Sequence, residues 1–352
     1  MFRALALSLL LAAPAMADSI RIATFSPDLT RKGPGLLLSD LQEAKDPQIA
    51  AVVQVIAASR ADVLLLTGID WDYDGLALRA LADRLEQAGA PYPYRYAGRP
   101  NTGMATEVDM DGDGRVVTPE DAQGFGFFSG QGGMAILSRL PLGTVTDMSD
   151  TLWRDVPGNS MNGAGLSTAA AEIQRLSTTA HWDVPVNLPG GTALHLLAYA
   201  ATPPVFDGPE DRNGRRNADE SRFWLSYLDR LKGAPFVILG DANLDPVDGE
   251  GRPDGIQSVL NDPRVQDPKP ASPGGRAAGA ENPGQKGDPS LDTADWPDAD
   301  GPGNLRVDYV LPASTLRIKD AGVLWPAPPD PLAPVVTAAS RHRLVWVDLN
   351  LP

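Results

Sequence analysis

Apolar residues recur along this chain with two different periods. Between residues 48 and 60 they fall at Ile49, Val52, Val53, Val55 and Ile56, the spacing of one helical face, which predicts a helix. Ala61-Asp62 then leads into Val63-Leu64-Leu65-Leu66, a continuous apolar run that predicts a strand covered on both faces. Residues 19–25 alternate and predict another strand. Further on, 76–87 predicts a helix, 134–137 and 194–198 predict strands, and 218–231 predicts an amphipathic helix followed by a strand at 236–239. Strands are expected at 306–311, 323–325 and 344–349. The stretch 262–303 is rich in Pro, Gly and Asp and predicts a long loop with little regular structure. Helical and strand patterns intermix without a break in composition and without an internal repeat. The expectation is one α/β domain over 18–352.

Composition narrows the class. Apolar residues make up 43% of the chain and charged residues 21%, as in globular proteins. Gly 35 and Pro 33 together give 68 residues, so long ordered loops are expected. Cysteine is absent, which excludes disulfides, thiol chemistry and a lipobox. Residues 1–17 read as a signal peptide: Arg3, an apolar run over 4–11, then Ala15-Met16-Ala17, with the mature chain starting at Asp18. The run is shorter than the roughly 20 residues a membrane anchor needs. No later stretch reads as transmembrane, and the chain is expected in the periplasm or outside the cell. The formal charge is −15, and loss of Arg3 with the leader makes it −15 − 1 = −16. Such a surface repels nucleic-acid backbones, so nucleic acid is a disfavoured partner.

Residues 109–120 fit a twelve-residue calcium loop. Asp109, Asp111 and Asp113 stand at positions one, three and five, and Gly114 at the sharp turn. Arg115 offers its backbone carbonyl, Val116 is the apolar residue, and Glu120 is placed to bind through both oxygens. A hard cation needs many oxygens, and clustered aspartates repel one another without one. The flanks do not read as paired helices, so the loop is expected to be a structural staple holding calcium.

Six further segments occur in a telling order. They are Arg21-Ile-Ala-Thr-Phe-Ser26, Asp62-Val-Leu-Leu-Leu-Thr-Gly68, the stretch 202–217 beginning Thr202-Pro203-Pro204, Gly240-Asp241-Ala242-Asn243, Asn304-Leu-Arg-Val-Asp308-Tyr309, and Ser340-Arg341-His342. By these the chain resembles secreted bacterial members of the endonuclease/exonuclease/phosphatase superfamily, relatives of pancreatic deoxyribonuclease and bacterial sphingomyelinase. The resemblance implies a four-layer α/β/β/α sandwich of two mixed sheets flanked by helices. It also implies phosphoester hydrolysis assisted by a divalent ion, usually magnesium.

Half of the implied site is present. Asp241 and Asn243 match the family's Gly-Asp-Phe-Asn motif, Asp308 the residue that orients the base, and His342 the histidine of Ser-Asp-His, the general base. The other half is replaced. The family's Asn after the first strand is Ser26, its metal-binding Glu is Gly68, its second His is Ala200 and the Asp of Ser-Asp-His is Arg341. His181 and His195 lie off these positions and read as structural. Loss of two carboxylates and gain of a guanidinium make magnesium at this site doubtful. Asp70, Asp72 and Asp74 are the nearby carboxylates in sequence. Arg341 is expected to project into the old cleft and pair with Asp241, with Arg212, Arg215 and Arg216 as further anion-binding candidates, unless Asp207, Glu210 and Asp211 hold those three. Three readings stay open: a pseudoenzyme binding a phosphate-containing small molecule or other anion, an active phosphoesterase with altered ligands, and a partner-binding protein with an inert cleft.

Overall fold

The structure, a computed structural model, describes residues 19–350; the expected leader and the last two residues lie outside that range. The strands are β1 (Ser19–Phe25), β2 (Val63–Ile69), β3 (Tyr94–Tyr96), β4 (Gly133–Ser138), β5 (Thr146–Asp147), β6 (Ala180–Asn187), β7 (Ala193–Ala200), β8 (Phe236–Asp241), β9 (Ala294–Asp295), β10 (Asn304–Leu305), β11 (Asp308–Pro312), β12 (Ile318–Val323) and β13 (Val345–Asn350). The helices are α1 (Leu36–Glu43), α2 (Pro47–Ser59), α3 (Leu76–Gln87), α4 (Thr168–Ile173), α5 (Arg212–Leu228), α6 (Asp254–Leu260), α7 (Pro273–Gly279) and α8 (Ala333–Ala339).

Two large mixed sheets carry the fold. One runs β12-β13-β1-β2-β4-β3, with β1 and β2 parallel. The other runs β11-β8-β7-β6-β5, with β7 and β8 parallel. Between them Ile22, Val63, Leu65 and Ile136 meet Val184, Leu196, Leu239 and Val310 in one buried layer. The outer face of the first sheet, with Phe25, Leu64 and Leu66, lies under Val52 and Ile56 of α2. The outer face of the second, with Leu197, Tyr199 and Ile238, lies under Trp224 of α5 and Ile256 of α6. This is the expected α/β/β/α sandwich. The unbroken apolar run of β2 follows from it: Val63 and Leu65 face the other sheet while Leu64 and Leu66 face helices.

Local chemistry sets the helix limits. Asp46 caps α2 by accepting from the backbone N–H of Gln48 (2.8 Å) and Ile49 (3.2 Å), with Pro47 at the first helical position. Helix α5 begins at Arg212, six residues before the sequence pattern places it, because its first turns bury polar side chains. Arg216 donates to the carbonyls of Gln123, Arg175, Leu176 and Ser177. Asn217 Nδ2 donates to those of Thr202 and Ala242. Glu220 accepts from the backbone N–H of Thr178 and Thr202. The buried face of the helix is thus polar and satisfied by loops, a pattern that hydrophobic periodicity cannot reveal.

Three further expectations change. The stretch 262–303 holds α7 and the short strand β9, which pairs with β10 just beyond it. The strand expected at 323–325 is β12, which ends at Val323. Strand β6 has no expected counterpart, since Pro185 and the polar His181 and Asp183 disguise it.

Arg216→Ala should destabilise the protein by about 3 kcal/mol or more, since it strands several buried carbonyls. Urea denaturation checks this; a loss below about 1 kcal/mol would mean that water or neighbours replace the guanidinium.

Candidate active site

The ends of β7 and β8 and the start of β11 lie side by side. Their register pairs Ala200 with Asp241 and Asp241 with Asp308. Side chains alternate along strands, so these three continue the face of Ala198, Leu239 and Val310 and point between the sheets at one edge. Asp308 is fully buried and Asp241 nearly so. Asn243 follows in the left-handed region at φ 48, which Asn tolerates better than most residues. Its backbone N–H donates to Asp241 Oδ1 (2.9 Å) and its Nδ2 to the Ala201 carbonyl (2.9 Å).

His342 reaches the row from the segment between α8 and β13. Ser340 Oγ donates to the Ser26 carbonyl (2.7 Å) and accepts from the His342 backbone N–H (3.0 Å), which ties this segment to the end of β1. His342 Nδ1 meets Asp308 Oδ2 at 2.9 Å. Thr293 holds the same carboxylate: its Oγ1 donates to Asp308 Oδ2 (3.0 Å) and accepts from the N–H of Val307 and Asp308. Trp296 stands edge-on to the imidazole, 5.3 Å between ring centres. No local pattern marks Thr293 or Trp296, because both lie in the stretch expected to be an irregular loop. Asp308 Oδ1 is buried with no hydrogen-bond partner among the described residues.

These groups set one another's charge. Burial pulls the His342 imidazole down, but the carboxylates of Asp308 and Asp241 outweigh it and raise it to about 9. Burial, then the charge of Asp308, push Asp241 up to about 7 against the help of His342. At neutral pH the dyad is therefore an ion pair beside a carboxyl near its own midpoint.

The other end of the site lacks carboxylates at the motif positions. Gly68 sits at φ +63, and a Cβ there would lie 3.2 Å from Ser26 Oγ. Asp70 accepts from the N–H of Arg31 and Gly132, and Asp72 from those of Leu76 and Ala77, so both are occupied elsewhere. Asp74 is exposed. Arg341 does not form the expected pair with Asp241. It is exposed and points away, being the outward residue between inward Ser340 and His342, and a solvated guanidinium avoids the cost of burial. Arg343 is the buried arginine, 3.2 Å from Asp295 and 4.5 Å over the Trp325 ring. Asp28, which sequence reasoning passed over, lies at the cleft instead. It is exposed at φ 52, lies 3.2 Å from Ser340 Oγ, and its charge acts on both Asp241 and His342.

The family model described as the endonuclease/exonuclease/phosphatase family matches residues 38–342. The chain belongs to this family. No curated protein matches it in sequence. Among solved structures it is similar to an endonuclease/exonuclease/phosphatase from Beutenbergia cavernae, with 19% identity and TM-score 0.57 over 95% of this chain and 72% of that one. A family protein from Leptotrichia buccalis gives 13% and 0.54 over 94% of this chain and all of that one (100%). The human Nocturnin catalytic domain, solved with a bound sulfate anion, gives 13% and 0.50 over 94% of each chain. At such identities the likeness speaks for the fold alone.

Against the endonuclease/exonuclease/phosphatase pattern, only part of the implied magnesium ligand set is present. Asp241, Asp308 and His342 have ligand atoms within 4.8 Å of one another, while Gly68 and Arg341 bring no carboxylate. The anion-binding candidates on α5 face backbone oxygens. Arg212 donates to the carbonyls of Met110 and Ala164, and Arg215 to those of Glu210 and Asn162. Arg216 is buried as described above. None of the three forms an ion pair with Asp207, Glu210 or Asp211; Asp211 pairs with Arg252 at 2.6 Å.

The calcium-type loop is shifted by one residue from its expected ligand set. Asp109 accepts from the N–H of Gly112 (2.7 Å) and Gly114 (2.9 Å), both glycines at positive φ. Asp113 accepts from Arg115 N–H, and both are exposed. Asp109 and Asp111 have oxygens within 4.8 Å of Asp121, not of Glu120. A single tight helical turn at Pro119–Asp121, capped by Thr118, turns Asp121 inward and leaves Glu120 exposed.

Stability should fall as pH rises. Asp241 and His342 both have folded pKa values above their unfolded ones, so the folded state binds protons more tightly. The Asp241 contribution is lost between pH 3.8 and about 7, and that of His342 between 6.5 and about 9. Buried Glu220, also raised to about 7, acts in the same window, so the comparison with Asp241→Asn isolates the site. Urea midpoints should decline less steeply in that variant between about pH 4 and 7; equal slopes would place the titration elsewhere.

Proposed function

We propose that this chain is an exported derivative of a metal-dependent phosphoesterase that binds a phosphate-containing ligand and hydrolyses it far more slowly than the family's chemistry allows. The observation that carries this reading is the row Ala200–Asp241–Asp308, with His342 intact at one end and no carboxylate at Gly68 at the other. The acid–base half of the machinery can hold and move a proton at His342. The metal-binding half and the second histidine are gone, and each lost acid–base group typically costs about 10²–10⁴ in rate. Protonated His342 supplies attraction for an anion. The Asp241 carboxylate opposes it until protonated, so phosphate affinity is expected to rise as pH falls through about 7.

The test is turnover of bis-nitrophenyl phosphate with magnesium or manganese. The unmodified protein should be slow. Gly68→Glu, Ala200→His, Arg341→Asp and Ser26→Asn together should recover activity, although glutamate at a positive φ costs about 1–2 kcal/mol. Asp28 favours a second reading, in which its carboxylate replaces the missing ligand and the enzyme is active. Robust metal-dependent turnover by the unmodified protein, abolished by Asp241→Ala and by Asp28→Ala, would establish that reading instead. Neither turnover nor phosphate binding at millimolar ligand would favour an inert cleft.

Calcium is the proposed structural ion, held by Asp109, Asp111 and Asp121 with Asp113 nearby. Calcium at about 10⁻⁴–10⁻³ M should raise the melting temperature. Asp111→Ala and Asp121→Ala should remove that response and Glu120→Gln should keep it. A melting temperature indifferent to chelator would refute the staple.

A further inference from the structure

A cavity of about 660 Å³ opens between the tight turn at 119–121, the segment 202–207 and the start of α5. Its volume is that of a small-molecule site. Asp241, Asp308 and His342 do not line it, although Thr202 and Pro203 in its wall follow closely on Ala200. We propose that this cleft binds an organic cation, an ammonium group carried on an apolar body.

Two features of the lining point to that class. Phe125 and Phe206 both line the cleft while 56% and 90% exposed. Phe127 holds the Phe125 ring edge-on, 5.4 Å between ring centres. An aromatic face attracts a cation placed over it. Next, Asp111, Glu120, Asp207 and Glu210 outnumber the cleft's cations. Arg216 lies buried beside Glu220, and Asp111 belongs to the calcium-type group, which leaves Arg212 against Glu120, Asp207 and Glu210. The Glu120 carboxylate, outside the calcium-type group, accepts no hydrogen bond among the described residues, so it is available to a ligand. The same charges exclude phosphate, so this site and the phosphoester reading stand or fall separately.

Isothermal titration of the mature full-length protein, in about 1 mM calcium to fix the state of the loop, tests the proposal. The probes are benzyltrimethylammonium and, as a neutral molecule with the same ring, benzyl alcohol. The ammonium should bind with Kd of about 10⁻⁴–10⁻³ M and the alcohol at least about tenfold more weakly. Phe206→Ala and Glu120→Gln, both at exposed positions, should each weaken the ammonium by about 5–30-fold, and Asp241→Asn should leave it unchanged. Absence of binding at about 10 mM, equal binding of the alcohol, or affinity untouched by both substitutions would overturn it.

Discussion

Two carboxylates on adjacent strands, side by side and out of water, set the terms for this end of the molecule. Asp241 and Asp308 are brought together by backbone register, which side chains cannot renegotiate. Their repulsion must be met by a positive charge or a proton. His342 supplies the first, and the raised Asp241 takes up the second. The supporting contacts follow from that need. Thr293 fixes the carboxylate that receives the imidazole, and Ser340 fixes the segment that delivers it. The stretch 262–303, irregular in sequence, is therefore part of the site's scaffold, and its bridge from Ala294 to His342 is what sets Trp296 beside the ring.

Helix α5 plays the matching role beneath the neighbouring loops. It carries a buried arginine, asparagine, aspartate and glutamate where a helix in this position would ordinarily carry apolar residues. Each meets backbone groups of segments that have no regular partner of their own. Arg216 gathers four carbonyls, and Asn217 and Glu220 hold the turn at Thr202 from both its carbonyl and its N–H side. Loops this rich in Gly and Pro leave many polar backbone groups to satisfy, and a polar helix face does so without relying on water.

What the sequence disclosed follows the same physics. Strand β2 was legible because burial on both faces leaves an unbroken apolar run, and the ordered motifs located Asp241, Asn243, Asp308 and His342. The start of α5 was not legible, because a buried polar helix has the composition of a loop. Arg341 was misplaced because its neighbours Ser340 and His342 both point inward, and in extended chain that sends the residue between them outward. The turn geometry at Pro119, which ligand spacing does not reveal, brings Asp121 rather than Glu120 up to Asp109. Asp28 and Thr293 act through tertiary contacts and left no local signal.

The substitutions are also consistent with one another. The family pattern would put carboxylates at 68 and 341 near Asp241 and Asp308, four at one site with a single histidine cation. Only a divalent ion offsets such a charge. Here two of the four are gone, and the second brings a guanidinium to the rim. What remains, two carboxylates, one imidazolium and a solvated arginine, is close to balance once Asp241 is protonated. A site that had lost its metal by a single change would hold an uncompensated cluster and lose stability. On the proposed reading, the pattern at Gly68 and Arg341 is instead what a fold needs in order to keep the Asp308–His342 pair buried without the ion.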